Sequence, residues 1–161
     1  VDSNQSILYG TVQFMAREIV RVLAEGDYIA HEEKHDIESF IWVLAYCIMR
    51  NILHRASKPH APQSVKAQYD EFRKLFLESF GKTTCRSIFN VRHSNATTLE
   101  FPTFRIVDEI INNYMSEALI TLFGDIQDLM QKASVRRQST AFHLTHERLL
   151  EIVDKGIASL S

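Results

Sequence analysis

The chain has 161 residues, 45% of them hydrophobic, with 18 Lys and Arg against 20 Asp and Glu and a formal net charge of −2 at pH 7. That length and apolar content suit one globular domain with its own core, and the balanced charge excludes general capture of nucleic acid or anionic membrane by a basic surface. Two cysteines give no disulfide framework, and no run approaches the ~18 apolar residues that a bilayer crossing needs. The opening VDSNQS does not read as a signal peptide, so an intracellular, cytoplasmic or nuclear protein is expected, with protein rather than nucleic acid or membrane as its partner.

Helical periodicity dominates and no hairpin signal competes with it, which predicts an all-α domain. Residues 1–15 open as a polar loop containing Gly10-Thr11, and a short helix is expected from about Ala16 to Ala24, stopped near Gly26. The run DIESFIWVLAYCIMRNIL, residues 36–53, places Ile37, Phe40, Ile41, Leu44, Cys47, Ile48 and Ile52 at helical intervals around most of the circumference. Such a helix is buried on several sides and organises a core. After the Pro-bearing break at Lys58–Pro62, Ser64 is the expected cap of an amphipathic helix carrying Val65, Tyr69, Phe72, Phe76 and Phe80, closed at Gly81. Thr83–Val91 predicts another helix. From Thr103 to about Lys132 the period continues, with Gly124 as the expected point of bending or splitting. Residues 134–142 read as a linker, and Thr145 caps a last helix over 145–158, with Leu149, Ile152 and Val153 inward and its end near Gly156.

His31-Glu32-Glu33-Lys34-His35 spells H-E-x-x-H. In zinc hydrolases two histidines four apart share one helical face while the glutamate polarises a bound water. Here the letters follow the Gly26-Asp27 turn and precede the apolar run, their interior is solvated in composition, and no downstream third ligand stands out. A polar approach to a helix is the preferred reading and a zinc hydrolase the least favoured. The other histidines, His54, His60, His93, His143 and His146, are scattered, with surface or capping roles expected.

Two further stretches carry more information: Gly10-Thr11-Val12-Gln13-Phe14-Met15-Ala16-Arg17-Glu18 and His35-Asp36-Ile37-Glu38-Ser39-Phe40. The first resembles the end of a protein-kinase activation segment, G-T-x-x-[YF]-M-A-P-E. The second resembles the start of the central helix of the kinase large lobe in its fungal-type form. The resemblance implies the C-terminal lobe of a protein-kinase-like fold, with about five to seven helices around a buried central one. It implies that Gly10, Thr11, Phe14 and Met15 border the substrate, with Thr11 helping to position the acceptor hydroxyl. Glu18 would tie the segment to an arginine of the later helices, with Arg86, Arg92 and Arg105 as candidates. Asp36, besides capping the central helix, would accept hydrogen bonds from the catalytic loop; Ser39 belongs to the same motif. Arg17 departs from the pattern, standing where the family has proline.

Phosphoryl transfer further needs a glycine-rich phosphate cover, a strand lysine, a catalytic-loop Asp and Asn, and a D-F-G aspartate. In the family these precede the G-T-x-x-F-M-A segment, and here nine residues precede Gly10. The expectation is therefore a piece of a Ser/Thr kinase that has no catalytic residues or metal site of its own and is inactive alone, ATP and magnesium belonging to the intact parent. Its uncovered surface predicts a protein partner, either a second copy or the missing N-terminal kinase half. Ser3, Ser6 and Tyr9, in the activation segment, and Ser139, after Arg136-Arg137, are candidate phosphorylation sites. The competing class is a stand-alone helical interaction module, using apolar faces such as Val65–Phe80.

Overall fold

Seven α-helices make up the regular structure of the computed structural model over its described residues, 12–94, 108–134 and 143–159, with no strand among them. They are α1 (Arg17–Glu25), α2 (Glu33–Ala56), α3 (Gln63–Phe80), α4 (Cys85–Ser94), α5 (Asp108–Tyr114), α6 (Glu117–Ser134) and α7 (His146–Ala158). The fold is all-α, as the periodicity predicts.

Gly26 ends α1 at φ 74°, where a side chain would be strained; its N–H donates to Leu23 O and that of Asp27 to Val22 O, closing a Schellman turn. The central helix is α2. Its Ile37, Ile41, Trp42, Ala45, Met49, Ile52 and Ala56 are buried at intervals of three and four, each large side chain contributing about 1.5–3 kcal/mol by leaving water. Against this helix pack α3, α5 and α7, and α6 packs on α7; one cluster unites the face with Val65, Phe72 and Phe80 of α3, Ile110 and Ile111 of α5, Phe123, Ile126, Leu129 and Met130 of α6 and Leu149 of α7. A smaller cluster of Val12, Val20 and Ile88 joins α1 to α4, with Met15, Cys85 and Phe89 at its margin.

Polar contacts finish the joints. Gln68 Oε1 on α3 accepts the Ile110 N–H at 3.1 Å and so caps α5. Arg55 lies 4.7 Å from the Tyr114 ring centre and donates to Tyr114 O, fastening α5 to the end of α2. Thr145 caps α7 as expected, accepting the Arg148 N–H at 3.5 Å.

The structure corrects several expectations. The central helix starts at Glu33, so Asp36 lies one turn inside it and Glu32 is the N-cap. Phe40 and Cys47, counted inward from the sequence, are exposed. Pro62, not Ser64, precedes α3, and no side chain caps that helix. Val65, Phe72 and Phe80 face the core, so the interval Val65–Phe80 is not a free apolar face. The break between α5 and α6 falls at Met115-Ser116, where Ser116 Oγ accepts the Leu119 N–H at 3.3 Å as an N-cap; Gly124 sits inside α6. The last helix does end at Ala158, within the expected 145–158 span, and Gly156 is an internal position lying against Leu122, where a Cβ would come within 3.1 Å. Residues 103–107 and the linker from 135 to 142 lie outside the described residues. No helix among the described residues is long and apolar enough to cross a membrane.

Candidate functional site

The segment entering α1 and the first turns of α2 meet through a polar network. The Arg17 N–H and its Nε both donate to Glu38 Oε1, each at 3.0 Å, and Trp42 Nε1 donates to the same oxygen at 3.3 Å. Position 17 therefore has a reason not to be proline: a proline has no N–H to give Glu38. Arg92 of α4 lies above the other side of Trp42, its guanidinium carbon 4.1 Å from the ring centre, and its two terminal nitrogens donate to the carbonyls of Gln13 and Met15. Arg92 is only 4% exposed. Burial pushes its pKa down to about 10, against the opposing pull of Glu38, which leaves the side chain charged at neutral pH.

Glu18 faces a second group. Lys34 Nζ lies 2.9 Å from Glu18 Oε2, and His35 Nε2 lies 3.1 Å from the same atom. The hydrogen bond from Lys34 is the main cause that lowers the Glu18 carboxyl below its ordinary value, and the same bond raises Lys34. Among the described residues Lys34 and His35, not an arginine, meet Glu18: Arg86 is exposed and Arg92 binds main-chain carbonyls, while the third candidate, Arg105, lies outside the described residues.

His35 is 1% exposed, not part of a solvated approach. Its Nδ1 accepts the N–H of Glu32 at 3.0 Å, so the ring proton resides on Nε2, which donates to Glu18. A histidine thus does at the third helical position what Glu or Gln does in a capping box. Within the H-E-x-x-H letters, His31 precedes the helix and His35 lies inside it, with both ring nitrogens of His35 in hydrogen bonds. Among the described residues no group of three or more His, Cys, Asp and Glu is placed to hold a metal. His146 Nδ1 approaches Glu33 Oε1 at 2.8 Å, which pins α7 to the start of α2.

The other predicted site residues divide clearly. Gly10, Thr11, Ser3, Ser6, Tyr9 and Ser139 lie outside the described residues. Phe14 is half-buried, its ring edge-on to Tyr46 at 5.3 Å; Tyr46 in turn meets Phe76 and Phe80 at 5.5 and 5.3 Å. Met15 packs beside the Val12, Val20 and Ile88 cluster. Ser39 is half-buried. Asp36 is exposed, 3.6 Å from His31, and heads a stripe of Asp36, Phe40, Val43 and Cys47 at helical spacing on the open side of α2. Missing from the sequence reading were Glu38, Trp42 and the role of Arg92. The signal for Glu38 was its place between Ile37 and Ile41, where a lone carboxylate on a buried face demands a partner.

Comparison with known proteins bears on this same region. Residues 1–48 match the fungal protein kinase family. The match takes in the segment before α1, α1 itself and the first two thirds of α2, and so includes Arg17, Glu18, His35, Asp36, Glu38 and Trp42. The kinase resemblance of this stretch therefore holds, over a short part of the chain. No curated protein and no solved structure matches.

Proposed function

We propose that this chain is the C-terminal-lobe portion of a fungal-type Ser/Thr protein kinase, whose intact parent transfers phosphate from ATP to protein and whose catalytic residues lie outside these 161 residues. The observation that carries the reading is the fungal protein kinase match over residues 1–48, which ends within the central helix. The geometry around it is compatible. The segment assigned to the substrate side is held against α2 and α4, and Asp36, assigned to the catalytic loop, is exposed at the head of the open stripe on α2, with His31 at 3.6 Å. A covering catalytic half would give Phe40, 49% exposed, and Val43, 39% exposed, the neighbours they lack among the described residues.

The same stripe favours the second reading, an interaction module without chemistry, in which a protein partner covers α2. The gene upstream of Val1 separates the two: catalytic-loop and D-F-G residues there are expected, and a start codon at once before Val1 selects the module. Incubated with Mg-ATP and a generic protein substrate, the chain alone is expected to transfer no phosphate; turnover would sink the assignment. Light scattering is expected to find association, and Asp36→Ala is expected to weaken docking of a front half while leaving the fold intact.

A further inference from the structure

Arg92 is a buried cation whose fixed fork reaches back 77 and 79 residues along the chain, to Met15 O and Gln13 O. We propose that Arg92 is the positioning residue of the segment 13–15: its guanidinium sets the main-chain course of Gln13–Met15 and thereby the presentation of Phe14 and Met15. This rests on the kinase reading for what the segment presents, a platform for a Ser/Thr peptide, but the anchoring itself is in the contacts.

Three features make arginine necessary. The two carbonyls are two residues apart in an irregular segment, and a planar fork satisfies both at once; a lysine ammonium on a flexible stem does not reproduce that geometry. The guanidinium plane is backed by the Trp42 ring at 4.1 Å, which fixes its direction. The negative charge that balances it, Glu38, is itself held by Arg17 and Trp42, so Arg92, Trp42 and Glu38 form one unit linking α4, α2 and the segment. Elsewhere the segment has modest support: the Met15 N–H donates to Val12 O at 3.3 Å, and Gln13 Nε2 donates to Lys82 O at 3.4 Å.

The test is amide hydrogen exchange on the whole chain with Arg92→Lys, and with Arg92→Gln as a second variant, each verified as folded by circular dichroism. Loss of a charge-assisted fork is expected to speed exchange at the Met15 and Arg17 amides by about tenfold to a hundredfold, while α3 and α6 exchange as before. Unchanged exchange at Met15 and Arg17 overturns the proposal. So does equal acceleration throughout, which would make Arg92 a general prop of the core. In the full-length gene product, Arg92→Lys is expected to raise KM for a Ser/Thr peptide and leave KM for ATP unchanged. If the variant loosens the segment there without altering the peptide KM, the proposal is again overturned. If the unaltered full-length product transfers no phosphate, the kinase reading falls, and the exchange result alone decides whether Arg92 anchors the segment.

Discussion

The two cores of this molecule are built differently. The large one, shared by α2, α3, α5, α6 and α7, is almost wholly apolar, with Phe72, Ile37, Ile41, Met49 and Ile126 among its fully enclosed side chains. The small one, where residues 12–25 meet α4 and the head of α2, is a cluster of Val12, Val20 and Ile88 beside a network of Arg17, Glu18, Lys34, His35, Glu38 and Arg92. The joint between residues 12–25, α4 and the head of α2 thus depends on directed bonds, and the large core on volume. Apolar packing tolerates shape-conserving exchange, whereas a buried charge tolerates very little change in its partner.

That contrast ranks the expected effects of substitution. Phe72→Ala, at 0% exposure in the large core, is expected to be the most damaging, at about 3–5 kcal/mol by chemical denaturation, from lost burial and the cavity left behind. Phe72→Leu should recover most of that loss, because volume is what the site requires. Glu38→Gln is nearly isosteric and should still cost about 1.5–3 kcal/mol, since three donors converge on one carboxylate oxygen and the balancing charge of Arg92 is lost. If Glu38→Gln proved neutral, the claim that the small core is held by charge would fail. Thr145→Ala, in neither core, is expected to cost about 1 kcal/mol through loss of the α7 cap, read as a shift in the thermal midpoint.

The smallest effect is expected at Lys34→Gln, under about 1 kcal/mol, because Lys34 and Glu18 are both partly solvated. Its pH dependence has a definite sign. Glu18 is depressed below 4.5, so its contribution is complete above that pH and is lost as pH falls through the lowered value. Lys34 is raised above 10.5, so its contribution is complete below that pH and is lost as pH rises through the raised value. The stability difference between the native chain and Lys34→Gln should therefore be flat across neutral pH and shrink at both extremes.

The large core was the more legible of the two in the sequence. Apolar period gave the helices of that core, Gly26 gave the end of α1, and Thr145 gave the start of α7, because each rests on a local rule. The period overcounted α2: an apolar circumference does not reveal which quarter other elements leave open, and Phe40 and Cys47 fall there. Glycine does not always stop a helix. Gly124 has open space around it and is carried through α6 by Phe123 and Ile126, while Gly156 is kept for the close passage of Leu122. The polar core was hardest to read, since Arg92 meets partners 77 and 79 residues earlier in the chain, and nothing in the spacing of Arg92 announces Gln13 or Met15. His35 was obscured by its neighbours: two glutamates and a lysine make the stretch look solvated, although one imidazole at the third helical position is buried beneath them.

Trp42, the one tryptophan in the chain, stands where the two cores join, with Arg92 over its face and Phe80 edge-on at 6.2 Å. Intrinsic fluorescence will therefore report on this junction, whereas far-ultraviolet circular dichroism averages over all the helices. If the charged core opens before the apolar one, the two signals will separate along a denaturant titration, and the chain will unfold in two steps rather than one.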